Sequence, residues 1–84
     1  MASVEWGSDA LHDLQALDRS IAKRIVGKAI WFEKHFSDTT PDPLHNVLKG
    51  LYKFRVGDYR VIYSIRGEHI TIEAICHHSR AYKS

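Results

Sequence analysis

Cysteine is almost missing from this chain: Cys76 is the only one among 84 residues. That excludes an internal disulfide framework and any CxxC-type metal site. Proline is nearly as rare, with Pro41 and Pro43 alone, so neither a collagen-like nor a proline-rich disordered chain is at hand. No apolar run approaches the ~18 residues of a membrane-crossing helix, and the amino terminus lacks a basic-then-apolar signal. These absences predict one domain over residues 1–84, cytoplasmic, with no membrane contact. What is present suits a folded domain: 44% of residues are hydrophobic and 11% aromatic. A chain this short buries only about 60% of its unfolded surface, so its core has to be efficient.

The net charge of +2 says little, but its distribution says more. Residues 1–48 carry five basic against seven acidic side chains, and residues 49–84 carry seven against three. A basic half on a nearly neutral protein is the footprint of a polyanion site.

Val4 to Trp6 reads as a short strand stopped by Gly7. Ser8 is placed to cap a first helix of roughly residues 9–17, with Ala10, Leu11, Leu14 and Leu17 on one face. Asp18 restarts the pattern as a second cap. Ile21, Ala22, Ile25, Val26, Ala29, Phe32 and Phe36 form the stripe of a longer helix, and the short break between the two predicts a helix hairpin. Ser37 to Pro43 reads as a loop. Trp31 lies almost opposite the core stripe, one turn beyond Gly27, which suggests a contact with a partner chain.

After Leu44 the periodicity changes from 3.6 to 2. Gly57-Asp58 and Gly67-Glu68 are two-residue hairpin turns with glycine first, so three consecutive antiparallel strands follow. Counting from the first turn pairs Arg55 with Arg60, Phe54 with Val61 and Lys53 with Ile62. Counting from the second pairs Ile65 with Ile70, Tyr63 with Ile72, Val61 with Ala74, Arg60 with Ile75 and Asp58 with His77. One face then holds Tyr52, Phe54, Val56, Tyr59, Val61, Tyr63, Ile65, Ile70, Ile72, Ala74 and Cys76, and is the core. The other collects Lys53, Arg55, Arg60, Ile62, Glu73, Ile75 and His77. Like charges directly opposite each other, as Arg55 and Arg60 are here, are destabilising. Glu73 can neutralise one cation of the three, so the face is arranged for a bound anion. Arginine's planar fork matches phosphate oxygens, which makes a phosphodiester the natural candidate.

The blocks Leu48-Lys49-Gly50, Tyr52-Lys53-Phe54-Arg55-Val56-Gly57, Asp58-Tyr59-Arg60-Val61-Ile62-Tyr63 and His77 to Tyr82 resemble the RelE/ParE superfamily of toxins. With the helices before them, the resemblance covers nearly the whole chain. It implies an α+β domain of order β-α-α-β-β-β, the helix hairpin packed on one face of a small antiparallel sheet, neutralised by a cognate antitoxin. RelE-like members cut messenger RNA in the ribosomal A site; ParE-like members poison DNA gyrase without comparable chemistry. The resemblance puts the RelE branch's basic residues at Lys49, Lys53, Arg55 and Arg60, and its carboxyl-terminal tyrosine at Tyr82. The family's ending is His-Arg, three residues, then Tyr. Here His78 holds the arginine position and Arg80 follows two residues later, so either Arg80 acts from a shifted place or the site uses histidine.

RNA cleaves itself when a 2′-hydroxyl attacks the adjacent phosphorus. The reaction needs a base, cations for the phosphorane's extra charge and an acid for the leaving 5′-oxygen. Arg55 and Arg60 suit charge stabilisation, Lys53 suits a cation or a base, and His77 suits an acid or a base, the roles imidazole side chains commonly take. Tyr82 can stack on a base or donate a proton. Lys49, His78 and Arg80 complete the expected substrate contacts. No metal or cofactor is called for, since His77 and His78, as strand neighbours, point to opposite faces. Cys76 reads as a small buried hydrophobe, and Tyr59 and Tyr63 as packing. The expected activity is a RelE-like, metal-independent endoribonuclease. The alternatives are a ParE-like gyrase inhibitor and an inactive relative that only binds.

Overall fold

Strand β1 (Ser3–Trp6) leads into helix α1 (Ser8–Ala16) and then helix α2 (Arg19–His35). A 3₁₀ turn (Phe36–Asp38) and a two-residue strand β2 (Asp42–Pro43) follow. Strands β3 (Leu51–Val56), β4 (Tyr59–Arg66) and β5 (His69–His77) come next, closed by a second 3₁₀ turn (His78–Arg80). The structure, a computed structural model, describes residues 2–44 and 50–80. The expected β-α-α-β-β-β order is present, with β2 added where a plain loop was expected. The sheet order is β1-β5-β4-β3-β2. Because β1 joins β5 in parallel, the sheet is mixed rather than wholly antiparallel.

Local chemistry accounts for the helix ends. Gly7, not Ser8, is the residue before α1, and no side chain caps it. The Gly7 N–H donates to the Ile72 carbonyl at 2.8 Å, which ties the helix start to β5. A Cβ at Gly7 would stand 3.1 Å from that oxygen, so any larger residue would have to push the contact apart by a few tenths of an ångström. Asp18 caps α2 as expected, its carboxylate accepting from the Ser20 N–H at 3.2 Å and the Ser20 hydroxyl at 2.6 Å. Such a cap is worth about 1 kcal/mol.

The core lies between the helices and one face of the sheet. Ala10, Ile25, Ala29 and Phe32 meet Val56, Val61, Tyr63, Ile70, Ile72 and Ile75. The Phe32 ring sits 5.0 Å from both Phe54 and Tyr63, centroid to centroid. Leu11, expected on the inner face of α1, is instead 44% exposed.

Both hairpin glycines adopt the left-handed backbone that the turns require, Gly57 at φ +58° and Gly67 at φ +62°. The β3–β4 register is the expected one, with Arg55 opposite Arg60 and Lys53 opposite Ile62. Between β4 and β5 it holds through Tyr63↔Ile72 and then shifts. Glu73 is an extra residue, a β-bulge, so Ile62 pairs with Ala74, Val61 with Ile75, Arg60 with Cys76 and Tyr59 with His77. The expected Val61–Ala74, Arg60–Ile75 and Asp58–His77 pairs are therefore corrected. The physical reason is volume. The bulge turns Ile75 into the core, 7% exposed, in place of the smaller Ala74, a gain of about 2 kcal/mol in apolar burial. The edge of β5 beyond the end of β1 is met by α1, where the Asp13 carboxylate accepts the Ile75 N–H at 3.0 Å.

Candidate functional site

The sheet face turned away from the helices brings together Lys53, Arg55 and Arg60. With Asp42 and Phe54 they line a hollow of about 210 Å³. Arg55 and Arg60 stand opposite each other across the hairpin, as the turn chemistry requires. Arg55 is exposed, and its Nε donates to the Gly57 carbonyl at 2.9 Å, which holds the guanidinium near the hairpin tip. Arg60 is half-buried, and among the described residues no carboxylate pairs with it. Glu73, expected to neutralise one of these cations, instead accepts from the Ser64 hydroxyl at 2.7 Å.

Asp42 was not foreseen. Strand β2 carries it to the rim of the site, where its Oδ2 lies 3.4 Å from the Lys53 ammonium. Lys53 also donates to the Pro43 carbonyl at 3.4 Å. Asp42 sits in a stretch whose Asp, Thr and Pro content reads as loop, and only the edge pairing Asp42↔Lys53 exposes its role. Its charge is felt through the sheet. Burial above all, then Asp42 and Tyr52, pushes the Tyr63 phenol up to about 12.

The bulge moves His77 away from this site. His77 lies on the helix side, its ring edge-on to Tyr59 with centroids 5.3 Å apart. It lines a second hollow of about 590 Å³ with Asp13, Ala16, Leu17, Tyr59, Ile75, Cys76 and Ser79. Its Nδ1 is 2.8 Å from the Ser79 hydroxyl and accepts the Ser79 N–H at 3.2 Å, so the neutral ring carries its proton on Nε2. The expectation that His77 shares a face with Arg60 is thus corrected. Cys76, expected in the core, is the half-buried residue opposite Arg60. His78 is exposed, and its N–H donates to the Asp58 carbonyl at 2.7 Å. Arg80 ends the second 3₁₀ turn. Its side chain, with Lys49 and Tyr82, lies outside the described residues.

Trp31 faces outward, 44% exposed. Both faces of its ring are occupied: the Lys28 ammonium is 4.3 Å from the ring centroid, and His35 stacks at 4.5 Å with an 18° tilt. A partner would meet the edge of the indole and a cation, not an open aromatic plane. Among the described residues no three His, Cys, Asp or Glu side chains are placed to hold a metal ion, and no helix is long and apolar enough to cross a membrane.

Comparison with known proteins agrees with this architecture. A family model described as the ParE toxin of the type II toxin–antitoxin system parDE matches residues 4–82. A Mycobacterium tuberculosis protein named Toxin RelE is 38% identical over 66 residues, which span 79% of this chain and 68% of that one. Among solved structures, a RelBE toxin–antitoxin complex from M. tuberculosis superposes with a TM-score of 0.79 at 25% identity, covering 90% of this chain and 96% of the other. A chromosomal ParDE system from P. aeruginosa gives 0.74 at 18% identity, covering 92% and 96%. The isolated E. coli RelE toxin gives 0.73 at 14% identity, covering 100% and 88%.

Proposed function

Since the chain belongs to the RelE/ParE superfamily of type II toxin–antitoxin toxins, we propose that it acts as a RelE-like, ribosome-dependent endoribonuclease on messenger RNA in the A site. The observation that carries this reading is the Arg55–Arg60 pair. Two guanidiniums face each other across a hairpin beside a lysine, with one carboxylate among them, and a phosphodiester supplies the missing charge. The 38% identity to a protein named Toxin RelE supports it independently.

In this mechanism the 2′-oxygen bonds to phosphorus as its proton leaves. The phosphorus–5′-oxygen bond then breaks, giving a 2′,3′-cyclic phosphate and a 5′-hydroxyl that takes up a proton. Arg55 and Arg60 bind the non-bridging oxygens and stabilise the charge that develops there. Lys53, ion-paired with Asp42, works as a cation, and the Asp42 carboxylate is the group beside it able to accept the 2′-proton. Proton delivery to the leaving oxygen falls to His78 or Tyr82 rather than His77, which the bulge turns to the helix side of the sheet, away from Arg60. Lys49 and Arg80 add phosphate contacts. No step calls for a metal ion.

A cognate antitoxin would neutralise this toxin by laying an acidic, amphipathic segment over the same cations or along the Trp31 side of α2. The RelBE neighbour, solved as a toxin–antitoxin complex, supports such a partner.

A ParE-like gyrase inhibitor is the second reading, favoured by the description of the matching family and by His78 in the arginine position. One experiment separates the two. Purified toxin is added in parallel to a reconstituted translation reaction and to a gyrase supercoiling reaction. New messenger RNA ends inside codons on ribosomes, with supercoiling intact, is the expected result. Intact message with inhibited gyrase would replace the nuclease with the inhibitor.

A further inference from the structure

The five basic residues of the amino-terminal half are not scattered: Arg19, Lys23, Arg24, Lys28 and Lys34 all lie on α2. Its only acidic residue, Glu33, is turned toward β1, where it accepts the Val4 N–H at 3.1 Å. The outward face of α2 is therefore basic without an interleaved carboxylate. Acidic residues elsewhere in residues 1–48 conceal this in any sum over the half.

This face is joined to the candidate site at one point. The Arg24 guanidinium reaches the β3–β4 turn, its atoms 3.2 to 3.6 Å from where a side chain at Gly57 would begin. Arg55 donates to the carbonyl of that same Gly57 from the other face of the sheet. Two arginines thus bracket one glycine, and among the described residues neither is paired with a carboxylate. Asp58 is the acid in that turn, and it forms no ion pair with either among the described residues. One helical turn on, Lys28 is held out over the indole of Trp31.

We propose that Arg24 and Lys28 extend the phosphate-binding surface round the Gly57 turn, as a track for single-stranded RNA flanking the scissile phosphate. The proposal deepens the nuclease reading and rests on it. Backbone phosphates, not bases, are what the track recognises, because both faces of the Trp31 ring are covered and the groups on offer are cations. Glycine at 57 leaves the turn thin enough for the two guanidiniums to approach it from opposite sides.

The test uses the full chain and two RNA oligomers made uncleavable by a 2′-deoxy sugar at the attacking position, one a trinucleotide and one of about nine nucleotides. Binding is measured from low to moderate salt. Each phosphate contact on a single strand contributes about 0.7 to the slope of log affinity against log salt. The double variant Arg24→Gln/Lys28→Gln, with thermal melts to verify folding, should lower that slope by about 1.4 for the long oligomer and leave the trinucleotide unchanged. An unchanged slope for the long oligomer, with Arg60→Ala still weakening both, would overturn the track and leave the nuclease reading standing. Equal losses for both oligomers would also overturn it. Weaker binding of an acidic antitoxin segment with RNA binding intact would assign this face to the antitoxin instead. Wild-type protein that binds neither oligomer and inhibits gyrase would remove the nuclease reading itself.

Discussion

Replacing Arg60 by alanine should move stability and activity in opposite directions. In the folded protein Arg60 stands directly opposite Arg55, and no described carboxylate pairs with it. Like charges so placed cost roughly 0.2–1 kcal/mol, so Arg60→Ala should raise stability by a few tenths of a kcal/mol at low salt. Arg60 is half-buried, and its lost methylene packing offsets part of this gain. The electrostatic gain should vanish near 1 M salt, where the screening length falls to about 3 Å. Removing one donor from a developing oxyanion costs about 10²–10³ in rate, or roughly 2.7–4 kcal/mol of barrier. Single-turnover cleavage on programmed ribosomes, with urea melts at two salt concentrations, reads both effects. A folded Arg60→Ala protein cleaving at the wild-type rate would refute the site. A stability loss of several kcal/mol would refute the claim that the charge pair is strained.

Further outcomes follow from single contacts. Gly57→Ala should lose about 1–2 kcal/mol, because alanine resists φ +58°, whereas Gly27→Ala should gain roughly 0.5–1 kcal/mol, since a Cβ there meets nothing within 4 Å inside a helix; urea melts decide both signs. Asp13→Ala strips the acceptor from the Ile75 N–H and should cost about 1–3 kcal/mol, with Asp13→Asn recovering part of it in the same melts. The Tyr63 phenol, pushed up to about 12, keeps its proton in the folded state after the unfolded chain has released it near 10. Stability should therefore fall as pH rises from about 10 toward 12, and Tyr63→Phe should remove that part of the alkaline loss. A fall of the same size in Tyr63→Phe would mean another group is responsible.

The sequence made legible whatever depends on near neighbours. Gly57-Asp58 sets the β3–β4 register, and that register alone puts Lys53, Arg55 and Arg60 on one face. The cap at Asp18 and the stripe Ile25, Ala29 and Phe32 were equally local. The bulge was not, because Glu73-Ala74 continues a polar–apolar alternation and an unpaired residue leaves no mark in a period of two. The cue was size: Ile75 fills a core position better than Ala74. Missing it carried His77 to the wrong face and Cys76 into the core. Parallel pairing of β1 with β5 and the arrival of Asp42 beside Lys53 join residues far apart in the chain, and no local pattern encodes them. The charge on α2 was visible residue by residue but cancelled in a sum over half the chain.

The borders of the sheet have a consequence for how the folded chain meets other copies of itself. In the strand order β3, β4 and β5 are inner, though β2 pairs with only Tyr52 and Lys53 of β3, and the outermost strands are short, four residues in β1 and two in β2. On β1 a backbone donor at Val4 is already satisfied by Glu33, and on β2 Pro43 has no donor to offer. Open strand edges are templates for sheet-to-sheet polymerisation, and brevity, proline and charge all blunt them. At β1 and β2 the sheet therefore offers little free backbone with which to recruit a further strand, and its ends work against polymerisation.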